Sequence, residues 1–575
     1  MTDPQLVLAE RVQRALATAF GQEYATADPL IRPSQFADYQ ANVALSLAKR
    51  LRRSPREVAR DINDALDISD MCGDVEVSGP GFLNFKLRDD WISAQATHLL
   101  KDDRLDLSYE SAQTVVIDYS APNAAKEMHV GHLRTTIVGD ALTRVHELLG
   151  NRVIRQNHLG DWGTPFGMLI EHLLDIGEEK ALGRLAAGDG NAFYQEARRK
   201  FDGDPAFEER SRRRVPLLQG GDPDSTRLWH KFIEYTKRYF NRVYGDLGVT
   251  LTDDDIAGES MYNSMLATVC DDLERSGVAV ISEGALCVFP PGFTGRDGKP
   301  LPLIIRKSDG GYGYATTDLA AIRYRVRDLK ADRVLYVVGA TQALHFQMVF
   351  AAARMAGWLP DHVEAEHVQI GNVLGSDGKI FRTRSGESVK LTELLDEAVD
   401  RASAVIADRG YDEAARADIA RKVGIGAVKY ADLSVNHDSE YIFDFDRMLA
   451  LTGNTGPYLQ YATARIRSIF RKGEVDPATV TGPIMTGEPA ERALALTLLG
   501  FASVVRHVAA DSEPHRLCGY LFDVAQALTT FYENCPVLTA GDESLRRSRL
   551  ALLALTQNVL RQGLDVLGIE VPERM

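Results

Sequence analysis

Two histidines three residues apart, His129 and His132, enclose Gly131 just downstream of an apolar run, Val115–Val116–Ile117, that ends in Asp118. The run reads as a buried strand. Ser120 to Asn123 contains Pro122 and reads as a turn, and Val130 to Leu142 carries apolar residues at helical spacing. A strand, a loop and a helix opening on His-x-Gly-His make an anion site. Unpaired N–H groups and the positive end of the helix dipole face the ligand and favour phosphate. Two imidazoles on adjacent turns add donors, and Gly131 keeps side-chain bulk away from a flat base. The chemistry expected is that of a nucleotide held by its phosphates.

The chain that positions these residues has 575 residues, too many for one core, so about three domains are expected. With 45% hydrophobic and 26% charged residues it has the composition of an ordinary soluble protein. The start, Asp3–Pro4 followed by Leu8, Val12, Leu16 and Phe20, reads as a capped amphipathic helix and not as a signal peptide. The most apolar window, Ala493 to Val505, is too short to span a bilayer, so no membrane association is expected. Five scattered cysteines without a C-x-x-C pair suggest neither a zinc site nor a disulfide framework, which points to the cytoplasm. A net charge of −15 excludes a generic nucleic-acid binder, so any RNA must meet local basic faces. Candidates are Lys49 to Arg53, Arg212 to Arg214, and Arg465 to Lys472.

The predicted architecture is α/β: a Rossmann-like, doubly wound parallel-sheet catalytic domain, a small N-terminal α/β domain and an all-helical C-terminal domain. Residues 1–110 read as helices at Leu6–Phe20, Tyr39–Leu51 and Arg56–Leu66, then strands around Val75–Val77 and Phe82–Leu87. Over 111–375 strands and helices alternate as in a nucleotide-binding sheet, with strands at Val153–Gln156, Arg333–Gly339 and His367–Val373 and a charged, helical insertion at about 170–300. Residues 376–440 connect to an apolar-striped helical region at 441–575. No G-x-x-x-x-G-K-[ST] occurs, which excludes a P-loop, and Gly310 to Gly313 lacks dinucleotide-site spacing. His345 and His367 lie in apolar stretches and read as core histidines.

The His-x-Gly-His element resembles the HIGH signature of class I aminoacyl-tRNA synthetases. The strings PNAAKEMHVGH, NHLGDWG, YATTDLA, GPGFLNFKL and TGPYLQYATARI are similar to those of one member family, the arginyl-tRNA synthetases. The resemblance runs over nearly the whole chain. It implies an arginine–tRNA ligase: L-arginine and ATP give arginyl-adenylate and pyrophosphate, and arginine then passes to the terminal ribose of tRNA(Arg), releasing AMP. ATP, with Mg2+, is substrate; there is no resident metal or organic cofactor, and a cytoplasmic monomer is expected. His129, Gly131 and His132 are the implied ATP site. The KMSKS-type loop matches Phe381 to Gly386, after Lys379. With the serines matched, Arg384 stands at the second lysine; a shift of one residue sets Ser385 there and Arg382 at the first. In either register that lysine is absent, and Lys126, three residues before His129, occupies the place where the family carries another.

For the amino acid, the resemblance implies Asp118 and Asn123, the Tyr314–Asp318 pair, and Gln342. A planar guanidinium is best clasped by a carboxylate in a two-pronged pair. The sequence leaves open whether Asp118 or Asp318 does so, and Asp318 with Tyr314 is the choice adopted. For tRNA it implies Phe82 and Asn84 against a base near the elbow, and Tyr458, Tyr461 and Arg465 in the helical domain. Two further readings remain: a class I synthetase for another amino acid, and a catalytically inactive synthetase-like RNA-binding protein. The first would be expected to show zinc-ligand cysteines, the second to have lost the histidines or pocket acids.

Overall fold

The computed structural model describes residues 2–575 except 108–111, 125, 187, 383–388 and 408–409. The chain forms two compact units. One contains residues 109–449 with 566–569; the other contains 1–108, 450–565 and 570–575.

The first unit is built on four parallel strands, β1 (Thr114–Asp118), β2 (Arg152–Gln156), β3 (Arg333–Gly339) and β4 (Glu364–Ile370), in the order β4-β3-β1-β2. The winding reverses between β1 and β3. In open parallel sheets ligands bind outside the carboxyl ends at such a reversal. Asp118 ends β1 there, flanked by Tyr336 on β3 and Gln156 on β2. Helix α1 (Val130–Leu148) packs so closely on this edge that a Cβ at Gly139 would lie 2.2 Å from Tyr119 Cβ.

Among the described residues five helices lie between Thr164 and Leu247, within the stretch read as a helical insertion. Beyond them the structure differs: Ala279–Ser282, Ala285–Val288 and Leu303–Arg306 form an antiparallel sheet. The signal was Glu283–Gly284, both at positive φ, the two-residue turn whose twist matches a hairpin. The arginine run in this insertion is committed to carboxylates: Arg212 pairs with Glu208, Arg213 with Glu209 and Arg214 with Glu171.

In the second unit a four-stranded antiparallel sheet carries Phe82–Phe85, and Tyr39–Ala41, expected as helix, is one of its strands. β-Type residues pairing with Phe85 outweighed the local helical pattern. This module is fastened to the C-terminal helices. Arg492 makes a two-pronged pair with Asp38 at 2.8 Å, and the Asp3 carboxylate accepts from the Ser503 amide. The apolar stretch Pro489–Asp511 has the length and mean hydropathy of a membrane span, yet it is two helices of 10 and 11 residues, over half buried.

Arg134 lies two residues past His132 and is 1% exposed. Its guanidinium donates to Asp432 Oδ1 at 3.0 Å and to the carbonyls of Gly371, Ser439 and Asn436, while Tyr441 donates its hydroxyl to Asp432 Oδ2. The carboxyl end of β4, the segment 436–441 and α1 are thereby held at one point. Removing one member of a buried pair leaves the other uncompensated. Arg134→Met should therefore lower unfolding free energy by about 3 kcal/mol or more, read by urea titration of the intact protein.

Candidate active site

His129 is the N-cap of α1, and the two histidines cap the helix reciprocally. The Gly131 amide donates to His129 Nδ1 at 3.0 Å, and the His129 amide donates to His132 Nδ1 at 3.1 Å. The rings lie 4.0 Å apart. A neutral imidazole that accepts at Nδ1 carries its proton on Nε2. Both rings therefore carry an Nε2–H donor, of the kind a phosphate accepts. Burial, with the neighbouring His129 and Lys126 charges, pushes His132 down to about 3; burial and Lys126 also lower His129. Gly131 has a reason the sequence did not reveal: a Cβ there would meet His129 Cε1 at 2.8 Å.

The turn before α1 is strained. Ser120 and Ala121 sit at φ of 70° and 45°. They are held by Ser120 Oγ against Tyr244 Oη, and by the Ala121 amide donating to Asn157 Oδ1. Such outliers persist where surroundings over-determine them. Asn123 is exposed beside Gly160, where a Cβ would fall 2.2 Å from its Oδ1, so the NHLGDWG loop closes against it.

Asp118 is 5% exposed and already engaged. Arg325 Nη2 donates to its Oδ2 at 2.7 Å and Arg325 Nε to Gln156, leaving Asp118 Oδ1 buried without a partner among the described residues. An internal guanidinium thus neutralises one acid expected for substrate. Helix α2 (Tyr314–Arg327) starts with Tyr314 exposed and Asp318 one turn on. Asp318 Oδ2 lies 2.6 Å from His345 Nε2, which corrects the reading of His345 as a core residue: it is partnered by one of the candidate site acids. His367 is structural, bonded to the Val338 carbonyl and packed on Phe346. Gln342 is exposed in the short helix Ala340–Gln342 after β3.

Glu259 was missed. Burial, with the Asp161 and Asp318 charges, raises its carboxyl to about 7. Its strand-distant position in a 3₁₀ turn gave no periodic signal; only the acid in Gly258–Glu259–Ser260 hinted at it. The Asp318 charge is felt at Glu259, an arrangement that a cation would relieve.

Lys126 Nζ lies 5.7 Å over the Tyr194 ring. Of the loop residues, Lys379 closes a turn, with the Gly375 amide donating to its carbonyl, and Arg382 is exposed; Arg384 and Ser385 lie outside the described residues. Phe381 is a packing anchor, stacked on Phe443 at 5.1 Å. In the second unit Tyr458, Tyr461 and Arg465 come together in one cavity, with the Arg465 guanidinium 3.7 Å over Tyr532. Phe82 is half-buried. Asn84 is buried, its amide accepting from Gln40 and donating to Ser78.

A family model described as class I tRNA synthetase (R), catalytic domain, matches residues 95–445. An arginyl-tRNA synthetase N-terminal domain matches 6–87 and a DALR anticodon-binding domain 459–575. The chain is 67% identical to an arginine–tRNA ligase of Thermobifida fusca, covering all of both chains. The chain belongs to the arginyl-tRNA synthetase family. A Frankia casuarinae arginine–tRNA ligase is 52% identical over 99% of each chain. The solved arginyl-tRNA synthetase of Plasmodium falciparum superposes with a TM-score of 0.84 at 28% identity over 99% of each chain, and that of Thermus thermophilus with 0.81 at 25% over all of both. Like the rest of this family of ligases, the protein uses ATP as a substrate in its class I fold.

A neutral His132 contributes stability fully above the unfolded imidazole value of about 6.5, and this contribution is lost as pH falls toward 3, because the unfolded ring protonates first. Urea unfolding free energies at pH 7.5 and 5 should differ less in His132→Asn than in the unsubstituted protein. In the latter, ¹⁵N spectra at pH 6 should show His132 as the neutral Nε2–H tautomer.

Proposed function

We propose that the site at the carboxyl edge of β1 and β3 ligates arginine to tRNA(Arg) through an adenylate, with the following division of labour. The α-carboxylate of arginine attacks the α-phosphate of ATP, forming the acyl-phosphate bond and releasing pyrophosphate. Negative charge builds on the phosphates, and fixed donors matter more than a general base. His129 and His132 give Nε2–H donors, the first amides of α1 give the dipole, and Lys126 gives the full charge that the signature loop lacks. Lys379, Arg382 and Arg384 complete the phosphate contacts, and Mg2+ enters with ATP as its counter-ion. The 2′- or 3′-hydroxyl of the terminal ribose then attacks the carbonyl and AMP leaves.

One observation supports arginine as the amino acid: Glu259 and Asp318 face each other's charge while no described cation pairs with either, apart from the ionisable His345 beside Asp318. A guanidinium between them, with Tyr314 against its plane, would satisfy both. Asp118 keeps only Oδ1 for substrate, which with Asn123 and Gln342 suits the α-amino group. Phe82 and Asn84 take the elbow base, and the Tyr458–Tyr461–Arg465 cavity takes a base of the anticodon arm by stacking and cation–π contact. The enzyme works as a cytoplasmic monomer in this reading.

The test is ATP–pyrophosphate exchange across the amino acids with total tRNA present. Exchange should depend on arginine alone and nearly vanish without tRNA; exchange driven by another amino acid would refute the reading. Asp318→Asn should raise the arginine KM about 100-fold, with an unchanged value removing it from the pocket. Arginine binding should also expel protons. At pH 7 Glu259 is about half protonated, and an adjacent guanidinium drives it to ionise, so about half a proton should be released. Titration calorimetry in buffers of different ionisation enthalpy should detect this at pH 7 and lose it at pH 8.5 and in Glu259→Gln.

A further inference from the structure

The two ends of the signature loop are tied down differently, and the distal end returns to the start of the His-x-Gly-His helix. Residues 389–391 pair with 128–130. The Val130 amide donates to the Val389 carbonyl, the Leu391 amide donates to the Met128 carbonyl, and Lys390 stands opposite His129. From this place Lys390 Nζ reaches Glu127 Oε2 at 3.1 Å, and Glu393 lies next nearest at 3.7 Å. Glu127 is 15% exposed, its Oε2 is sealed from solvent, and its charge is also felt by the phenols Tyr235 and Tyr239.

Glu127 is the residue next to Lys126. Lys126 forms no ion pair among the described residues; it rests near the Tyr194 ring, and its charge reaches both histidines. A half-buried carboxylate beside a phosphate-binding lysine does harm in two ways. It can capture the ammonium, and it repels the triphosphate. We infer that Lys390 is a positioning residue for the adenylation step, holding Glu127 in an ion pair so that the Lys126 ammonium is left for the phosphates of ATP. This deepens the proposed function and rests on its assignment of Lys126. Lys390 itself touches no reacting atom.

The test is a charge-balance experiment in the full-length protein, using ATP–pyrophosphate exchange with tRNA and arginine. Lys390→Met should cut kcat/KM for ATP about tenfold and leave the arginine KM unchanged. Adding Glu127→Gln to the same chain should restore the rate to within about threefold of the unsubstituted enzyme, because no carboxylate remains to be held. A merely structural Lys390 would be rescued by the same second change, but its loss would lower the urea unfolding midpoint and depress the ATP and arginine parameters together, whereas here the defect is confined to kcat/KM for ATP. Lys390→Met at the unsubstituted rate, a loss that Glu127→Gln does not repair, or a parallel rise in the arginine KM would each overturn the inference. Lys126→Met, run alongside, separates the two claims. If it exchanges normally, the parent assignment of Lys126 fails. If it is defective while Lys390→Met is normal, only the present inference fails.

Discussion

A buried guanidinium fixes the geometry on which the chemistry depends. Arg134 has no access to water, so each of its donors must find an acceptor inside the protein, and it finds a carboxylate and three carbonyls from two separated stretches of chain. A pair of this kind adds little net stability compared with an apolar replacement. Its value here lies in register, because few other arrangements of β4, the 436–441 segment and α1 would satisfy the same set of groups. The two imidazoles sit on the first turn of the same helix, and the strand pair that leads into the signature loop starts at Val373 and Tyr441, beside the Arg134 acceptors. The histidine pair and the loop root therefore share one reference point.

The acids at the sheet edge follow the same principle with the opposite outcome. Asp118 is matched internally by Arg325, over the Tyr336 ring, which preserves the edge of β1 without substrate. Asp318 and Glu259 are left to one another and to His345. One carboxylate is spent on holding the fold, and two are kept in a state that a cation relieves.

The parts of this arrangement that repeat along the sequence were readable from it. The strand ending at Asp118, the helix opening at His129, the strand from Arg333 to Gly339 and the striped helices of the C-terminal region all carry periodic burial, and each lies where the pattern put it. Tyr39–Ala41 was misread because three residues cannot establish a period, and pairing with Phe85 decided its state. Glu259 and His345 were missed for a different reason. Their roles come from which charges surround them in space, and neither spacing nor composition encodes the approach of a 3₁₀ turn to α2. The reverse holds for Asp118, whose type and place were legible while its partner, 207 residues away, was not. Likewise the N-terminal module and the C-terminal helices read as separate bodies, although Arg492 and Asp38 join them in one unit.

The left-handed turn at Ser120–Ala121 bears on how such an enzyme could be hardened. Glycine adopts that backbone without the steric cost that serine and alanine incur, so replacement at Ala121 offers an easy gain in heat resistance. The same replacement would widen the conformations open to the turn between Asp118 and Asn123. Selection for thermal tolerance alone would thus be drawn toward a turn flanked by Asp118 and Asn123, two residues of the proposed amino-acid site, and a screen that scores survival without turnover would enrich sturdy, sluggish variants.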